Sequence, residues 1–269
     1  MSIPIFTHAG SAGDVLYSLT FVKEYIESLG ETALRLELEV NRPATHVEGH
    51  PYGNVLLSEE AIKFLRPLLE YQPYIESCNT VSKPSTDAFD LNSFRALKLY
   101  LSAGDLRYYY YPLLDKPLPV DFSRPCLNAP VNLDFKDKIV LFRSCRYHNP
   151  FVSYQLLRPL KDRIVFIGLP REHQDFCNQQ FPVEFYKVRD ALEAASIMKS
   201  AKLTIGNQTG LFAIAEQLKV PRILESCQVW SVNGQTMWGL PNVIPFGGRC
   251  QMAISDITPQ LAENTWRQH

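Results

Sequence analysis

Two short glycine-bearing runs hold the residues best suited to chemistry. The first is Gly10-Ser11-Ala12-Gly13-Asp14, which opens a stretch of helical periodicity. Unpaired N–H groups and the dipole at a helix start can hold an anion there. The spacing is G-x-x-G rather than G-x-G-x-x-G, which disfavours a nicotinamide cofactor. Asp14 has two readings: a carboxylate favoured in a first helical turn, or a group able to take a proton from a hydroxyl. His8, at the end of the preceding apolar run, could act likewise or be structural. The second run is Asn207-Gln208-Thr209-Gly210, again at a helix start, where free N–H groups suit a phosphate. Asn207 and Gln208 add amide donors without charge; the plainer reading is an ordinary capped helix.

Further candidates flank these runs. Arg143 and Arg146 follow the apolar stretch 138–142. A guanidinium fork grips a diphosphate with two hydrogen bonds, although most arginines are simply solvated. Gly168 and Glu172 follow a second apolar stretch, and Glu172 could bond hydroxyls or start a helix. Trp230, Trp238 and the Tyr108–Tyr111 run could stack on a base or sugar, or pack in the core.

The elements that must carry these residues alternate. Ile3 to Phe6 predicts a strand. Val15, Leu16, Leu19, Val22, Tyr25, Ile26 and Leu29 recur at helical spacing, with Gly30 as a stop, and Leu34 to Val40 alternates as a strand does. Ser58 is expected to cap a helix, Ile75 to Val81 to form a strand, 82–90 a polar loop and 91–101 a helix. Prolines 112, 117, 119, 125 and 130 mark a linker. Beyond it, strands are predicted over 138–142, 163–167, 185–188, 203–205 and 222–224, with helices over 152–160, 171–180, 190–199 and 211–218. The expected fold class is α/β: two Rossmann-like β/α domains facing a cleft, over 1–130 and 131–269. Ligands would bind at the carboxyl ends of the strands.

Composition narrows the classes. The chain has 269 residues, 46% hydrophobic and 20% charged, which excludes disorder, collagen and coiled coil. Lys plus Arg is 27 and Asp plus Glu 28, a net charge of −1, so no bulk field draws nucleic acid or an anionic membrane, although a local basic groove stays open. No apolar run approaches the ~20 residues of a membrane span, and MSIPIFTHAG lacks a secretory pattern. The six cysteines are scattered and the histidines form no H-x-x-x-H pair, so a reduced, cytoplasmic, zinc-free protein is expected.

In order and spacing, several of these segments resemble the glycosyltransferase family 9 heptosyltransferases. The segments are Gly13-Asp14-Val15-Leu16 after the first strand, Phe166 to Glu172, Ala191 to Asn207, Thr209-Gly210-Leu211 and Val220-Pro221. The resemblance covers about residues 3–30 and 138–224. It implies a GT-B fold with the nucleotide-sugar donor held mainly by the C-terminal domain, and it makes Asp14 the general base for the acceptor hydroxyl. It also brings a basic residue near Arg143 to the donor phosphates, and the free N–H groups of the helix start at Thr209-Gly210 would suit the pyrophosphate. The implied enzyme is an inverting, metal-independent glycosyltransferase with a nucleotide sugar as substrate and no cofactor. A glycan acceptor is favoured, and a hydroxymethylated DNA base is the alternative. Gln208 and Ala213 stand where the family usually has an acid and a histidine, which keeps open a non-catalytic nucleotide-sugar-binding protein.

Overall fold

A computed structural model describes residues 3–44, 53–97, 106–146, 148–149 and 152–225, together with the backbone of 243–246. Trp230 and Trp238 lie outside the described residues. The first half builds β1 (Ile5–His8), α1 (Ala12–Ser28), β2 (Leu34–Glu39), α2 (Glu59–Glu70), β3 (Ile75–Val81) and β4 (Phe89–Asp90). The four strands form one parallel sheet in the order β3-β2-β1-β4. The second half builds β5 (Ile139–Phe142), β6 (Ile164–Ile167), α3 (Pro170–Gln179), β7 (Glu184–Tyr186), α4 (Ala191–Ser200), β8 (Leu203–Asn207), α5 (Gly210–Leu218), β9 (Arg222–Glu225) and β10 (Val243–Phe246). They give a second parallel sheet in the order β10-β9-β8-β5-β6-β7.

The central strands of the second sheet are apolar runs because both faces are covered. Val140 and Phe142 pack into a core shared with α1, α4 and α5, while Ile139 and Leu141 turn to a smaller cluster with Leu157, Phe166 and Phe176. Helix starts follow side-chain chemistry: Ser58 Oγ accepts from Ala61 N at 3.2 Å, and Asp190 Oδ1 from Glu193 N at 2.9 Å.

Four segments differ from expectation. Residues 89–90, expected in a polar loop, pair with β1 as β4, because Phe89 packs its ring against Phe6, Phe21 and Tyr25. Residues 91–96 form a 3₁₀ turn rather than the start of a helix, and 98–101 lie outside the described residues. Residues 154–163, with Pro159 inside, are also 3₁₀. Tyr108–Tyr111 sit in a 3₁₀ segment, 106–113: Tyr109 and Tyr110 are buried, and the Tyr111 hydroxyl bonds Glu24. The stacking role considered for the run is therefore corrected for these three rings; Tyr108 alone is well exposed.

Helix α1 is covered on more than its predicted stripe: Tyr17, Ser18, Thr20 and Phe21 are buried as well. Two neighbours cover it: α5 packs along it, and the rings of Phe89, Tyr110 and Tyr111 close over Phe21. Thr20 Oγ1 donates to Gln217 Oε1 at 3.0 Å, and Gln217 Nε2 donates to Leu16 O at 2.8 Å. At the far end of α5 the fully buried Glu216 pairs with Arg107 at 2.7 Å and with Arg222, and Lys219 approaches to 2.6 Å. Burial pushes the Glu216 carboxyl up, but the charges of Arg222, Arg107 and Lys219 outweigh it and hold it below the usual range.

Candidate active site

The β1–α1 turn is built on a buried histidine. Gly10 N donates to His8 Nδ1 at 2.8 Å, so that nitrogen carries no proton. The proton then sits on Nε2, 3.1 Å from the Tyr110 hydroxyl, which in turn donates to Asp14 O at 2.9 Å. His8 is fully buried; desolvation, and then the charge of Arg95, push it down to about 3. It is a neutral, doubly hydrogen-bonded support beneath the turn. Gly10 is required by close approach: a Cβ there would lie 2.5 Å from His8 Cε1 and 2.7 Å from Asp14 Oδ2.

Asp14 stands in the first turn of α1, with its side chain 14% exposed. Its Oδ2 accepts from Ser11 N at 3.1 Å and from Arg95 Nη2 at 2.6 Å. Among the described residues, Oδ1 receives no hydrogen bond. The 3₁₀ turn after β4 therefore grips the β1–α1 turn twice, because Asn92 Oδ1 also accepts from Ala9 N at 2.8 Å. The strand order explains it: β4 lies beside β1, so the turns leaving these two strands meet at one edge of the sheet.

The β8–α5 turn lies opposite. Thr209 caps α5, its Oγ1 accepting from Phe212 N at 3.2 Å. A Cβ on Gly210 would sit 3.5 Å from Ala12 Cβ and 3.7 Å from Gly13 N, so the first turns of α1 and α5 meet. Gly10, Ser11, Gly13, Asp14, Thr209 and Gly210 thus come together, and Gln208 adjoins them in sequence. Helix N-termini brought together in this way are able to hold an anion.

The arginine and amide expectations change. Arg143 is 4% exposed, and its Nε and Nη2 clasp Glu225 at 2.7 and 2.8 Å, while Nη1 lies 3.3 Å from Gln179 Oε1. Its fork is committed to a buried carboxylate that also accepts from Tyr154 Oη and Asn149 N, both at 2.8 Å. Asn207 is fully buried; its Oδ1 accepts from Ser144 N at 3.0 Å, and its Nδ2 donates to Ser144 O at 3.1 Å and Arg146 O at 2.5 Å. Both residues hold the chain that follows β5, over 143–146, rather than face outward. Arg146 is half-buried on that loop and acts electrostatically on Glu172. Glu172 Oε2 accepts from Leu169 N at 2.9 Å at the start of α3, and burial pushes its carboxyl up. Gly168 has φ +142°, a region L side chains rarely adopt.

The comparisons with known proteins agree on the architecture. No protein-family model and no curated protein matches the sequence. Solved structures do match. The glycosyl transferase family 9 protein from Veillonella parvula is 12% identical with a TM-score of 0.61, over 100% of this chain and 99% of that one. E. coli heptosyltransferase WaaC with ADP is 13% identical with a TM-score of 0.62, over 98% and 100%. E. coli ADP-heptose lps heptosyltransferase II is 15% identical with a TM-score of 0.59, over 99% of each chain. The chain has the fold of glycosyltransferase family 9.

Within that family-9 fold, the departures seen in the sequence take physical form. Gln208 brings no charge to the turn, and Ala213 is fully buried on α5. Arg95 and Asn92 are the site residues that sequence reasoning missed, and Tyr110, weighed there only as a stacking or core ring, supports the turn through its hydroxyl. Each reaches the turn from more than 80 positions away, without a local motif. Among the described residues no group of His, Cys, Asp and Glu is placed to hold a metal ion, and no helix is long and apolar enough to cross a membrane.

Proposed function

We propose that this chain transfers a sugar from a nucleoside diphosphate sugar to an acceptor hydroxyl, with inversion at the anomeric carbon. The observation that carries the reading is the meeting of the α1 and α5 first turns, with the Asp14 carboxylate on one of them. The diphosphate lies against the N–H groups of the Thr209–Gly210 turn. The charge that builds on it as the glycosidic bond breaks meets fixed donors, so no metal ion is needed in this reading. Asp14 takes the acceptor proton, the acceptor oxygen attacks the anomeric carbon from the opposite face, and the electron pair of the broken bond leaves with the diphosphate. Residues 1–130 form the acceptor side and 131–269 the donor side. His8, buried and neutral, supports the turn instead of sharing the base role.

The fold likeness to heptosyltransferases, one with ADP in its structure, supports a nucleotide-sugar donor. A glycan hydroxyl is the favoured acceptor, since a net charge of −1 offers a polyanion no general attraction. A hydroxymethylated DNA base is the competing acceptor. The uncharged Gln208 favours a second reading, a nucleotide-sugar-binding protein without turnover.

Purified protein incubated with ADP-, UDP- and GDP-sugars decides between them. One nucleotide class at 100 times its Kd should stabilise the fold by about 2.7 kcal/mol in thermal melts. Released nucleoside diphosphate should then appear when glycan acceptors are added. Melting that no donor alters overturns the donor site. Binding without release for any glycan or hydroxymethylated DNA favours the second reading.

A further inference from the structure

We infer that Arg95 is a positioning residue for the candidate base: by holding Oδ2 of Asp14 it leaves Oδ1 as the atom that receives the acceptor proton. The inference rests on the reading of Asp14 as base. A carboxylate rotates about a broad, two-fold torsion, so its two oxygens interchange easily unless one is held. Here one is held twice, by the Ser11 N–H at 3.1 Å and by the Arg95 guanidinium at 2.6 Å. A charge-assisted bond of that length is the stronger of the two.

The support behind Arg95 is firm. Asp90 Oδ1 accepts from Asn92 N at 2.9 Å and Nδ2 at 2.8 Å, fixing the start of the 3₁₀ turn. Asp90 itself pairs with Thr7 of β1. The Arg95 guanidinium lies 4.8 Å from the centroid of the buried Phe94 ring. Cation and carboxylate are therefore mounted on neighbouring strands of one sheet.

Stability alone gives little reason for the pair. Arg95 is 37% exposed, and ion pairs with an exposed partner contribute little to stability. Its position beside the anion-binding turns is what gives it a role. A reacting group displaced by about 1 Å can lose on the order of 100-fold in rate.

The test compares wild type, Arg95→Gln and Arg95→Lys in nucleoside diphosphate release from ADP-, UDP- and GDP-sugars, with water as the acceptor. In Arg95→Gln, kcat should fall on the order of 10- to 100-fold while donor KM and Tm stay at their wild-type values. Arg95→Lys, which still offers one cationic donor, should recover part of the loss. The split matters because Gly13 N lies on the same turn: a general collapse would raise KM together with the loss of kcat. Wild-type kcat in Arg95→Gln, or a KM that rises in step, overturns the inference while leaving the transferase reading intact. If wild-type protein releases nucleotide from no donor, with water or with an added glycan or hydroxymethylated DNA, the transferase reading has failed and this inference falls with it.

Discussion

The β1–α1 and β8–α5 turns are alike in backbone and differ in charge. Each follows a parallel strand, carries glycine and opens a helix, and the first turns of the two helices meet. They differ in what neutralises them. The first carries a carboxylate, pinned by Arg95 and underlain by neutral His8. The second carries no acid: Thr209 caps its helix, and the amide of Asn207 is consumed by the loop 144–146. One turn holds a carboxylate able to take a proton, and the other offers only uncharged hydroxyl, amide and N–H groups. Matching backbones thus leave the chemistry to one or two side chains, and the candidate base and the candidate diphosphate site both arise from that asymmetry.

The sharpest break is Asp14→Asn, which makes the two turns alike in charge. Turnover should drop by roughly 10²–10⁴ while the affinity for nucleoside diphosphate, measured by calorimetry, barely changes. A folded Asn variant with near-normal rate would remove the asymmetry as an explanation.

Next is the buried histidine, present under one turn only. Its folded value of about 3 lies below the unfolded 6.5, so between those limits the unfolded chain holds a proton that the folded chain does not. Its contribution is therefore complete above about pH 6.5 and is lost as pH falls towards 3, by up to about 1.4 kcal/mol per pH unit. Urea midpoints at pH 7 and pH 5 should show this drop. His8→Asn, which can still accept from Gly10 N, should flatten it; an equal drop in both proteins would place the sensitivity elsewhere.

Glycine substitutions separate the turns further. Gly10→Ala drives a Cβ into His8 and Asp14 and should cost about 1–3 kcal/mol in chemical denaturation. Gly210→Ala meets only ordinary contacts and should melt like wild type. Gly210→Val, whose extra methyls crowd the space beside Gly13 N, should weaken nucleotide binding about tenfold, equivalent to about 1.4 kcal/mol. The smallest measurable loss is Thr209→Ala, a lost helix cap of about 1 kcal/mol seen as a slightly lower Tm.

Much of this was legible in the sequence because it is local. Gly10 to Asp14 and Thr209-Gly210 declare helix starts, and buried parallel strands such as Ile139–Phe142 read as apolar runs. What escaped is set by strand order. Nothing near Arg95 says that β4 lies beside β1, since β4 is two residues long and its pairing depends on Phe89 finding an aromatic cluster. Arg143 misled for the same reason. Its type and place after β5 suit a phosphate, but the carboxylate that takes it, Glu225, is 82 positions away at the end of β9. A residue's type states what it can bind; only the fold states what is already bound to it.

The buried cluster at the far end of α5 has a consequence for recombination. Arg107 belongs to the segment leading out of the first half, and its partner Glu216 to the second, both at 0% exposure. Thr20 and Gln217 repeat the arrangement with uncharged groups. Removing one member of a buried ion pair typically costs about 3–5 kcal/mol, because the other is left without water or counter-charge. A hybrid that grafts the first half of a relative onto this second half must therefore import matching residues at 20 and 107. Without them the graft would fail in assembly before any activity could be assayed.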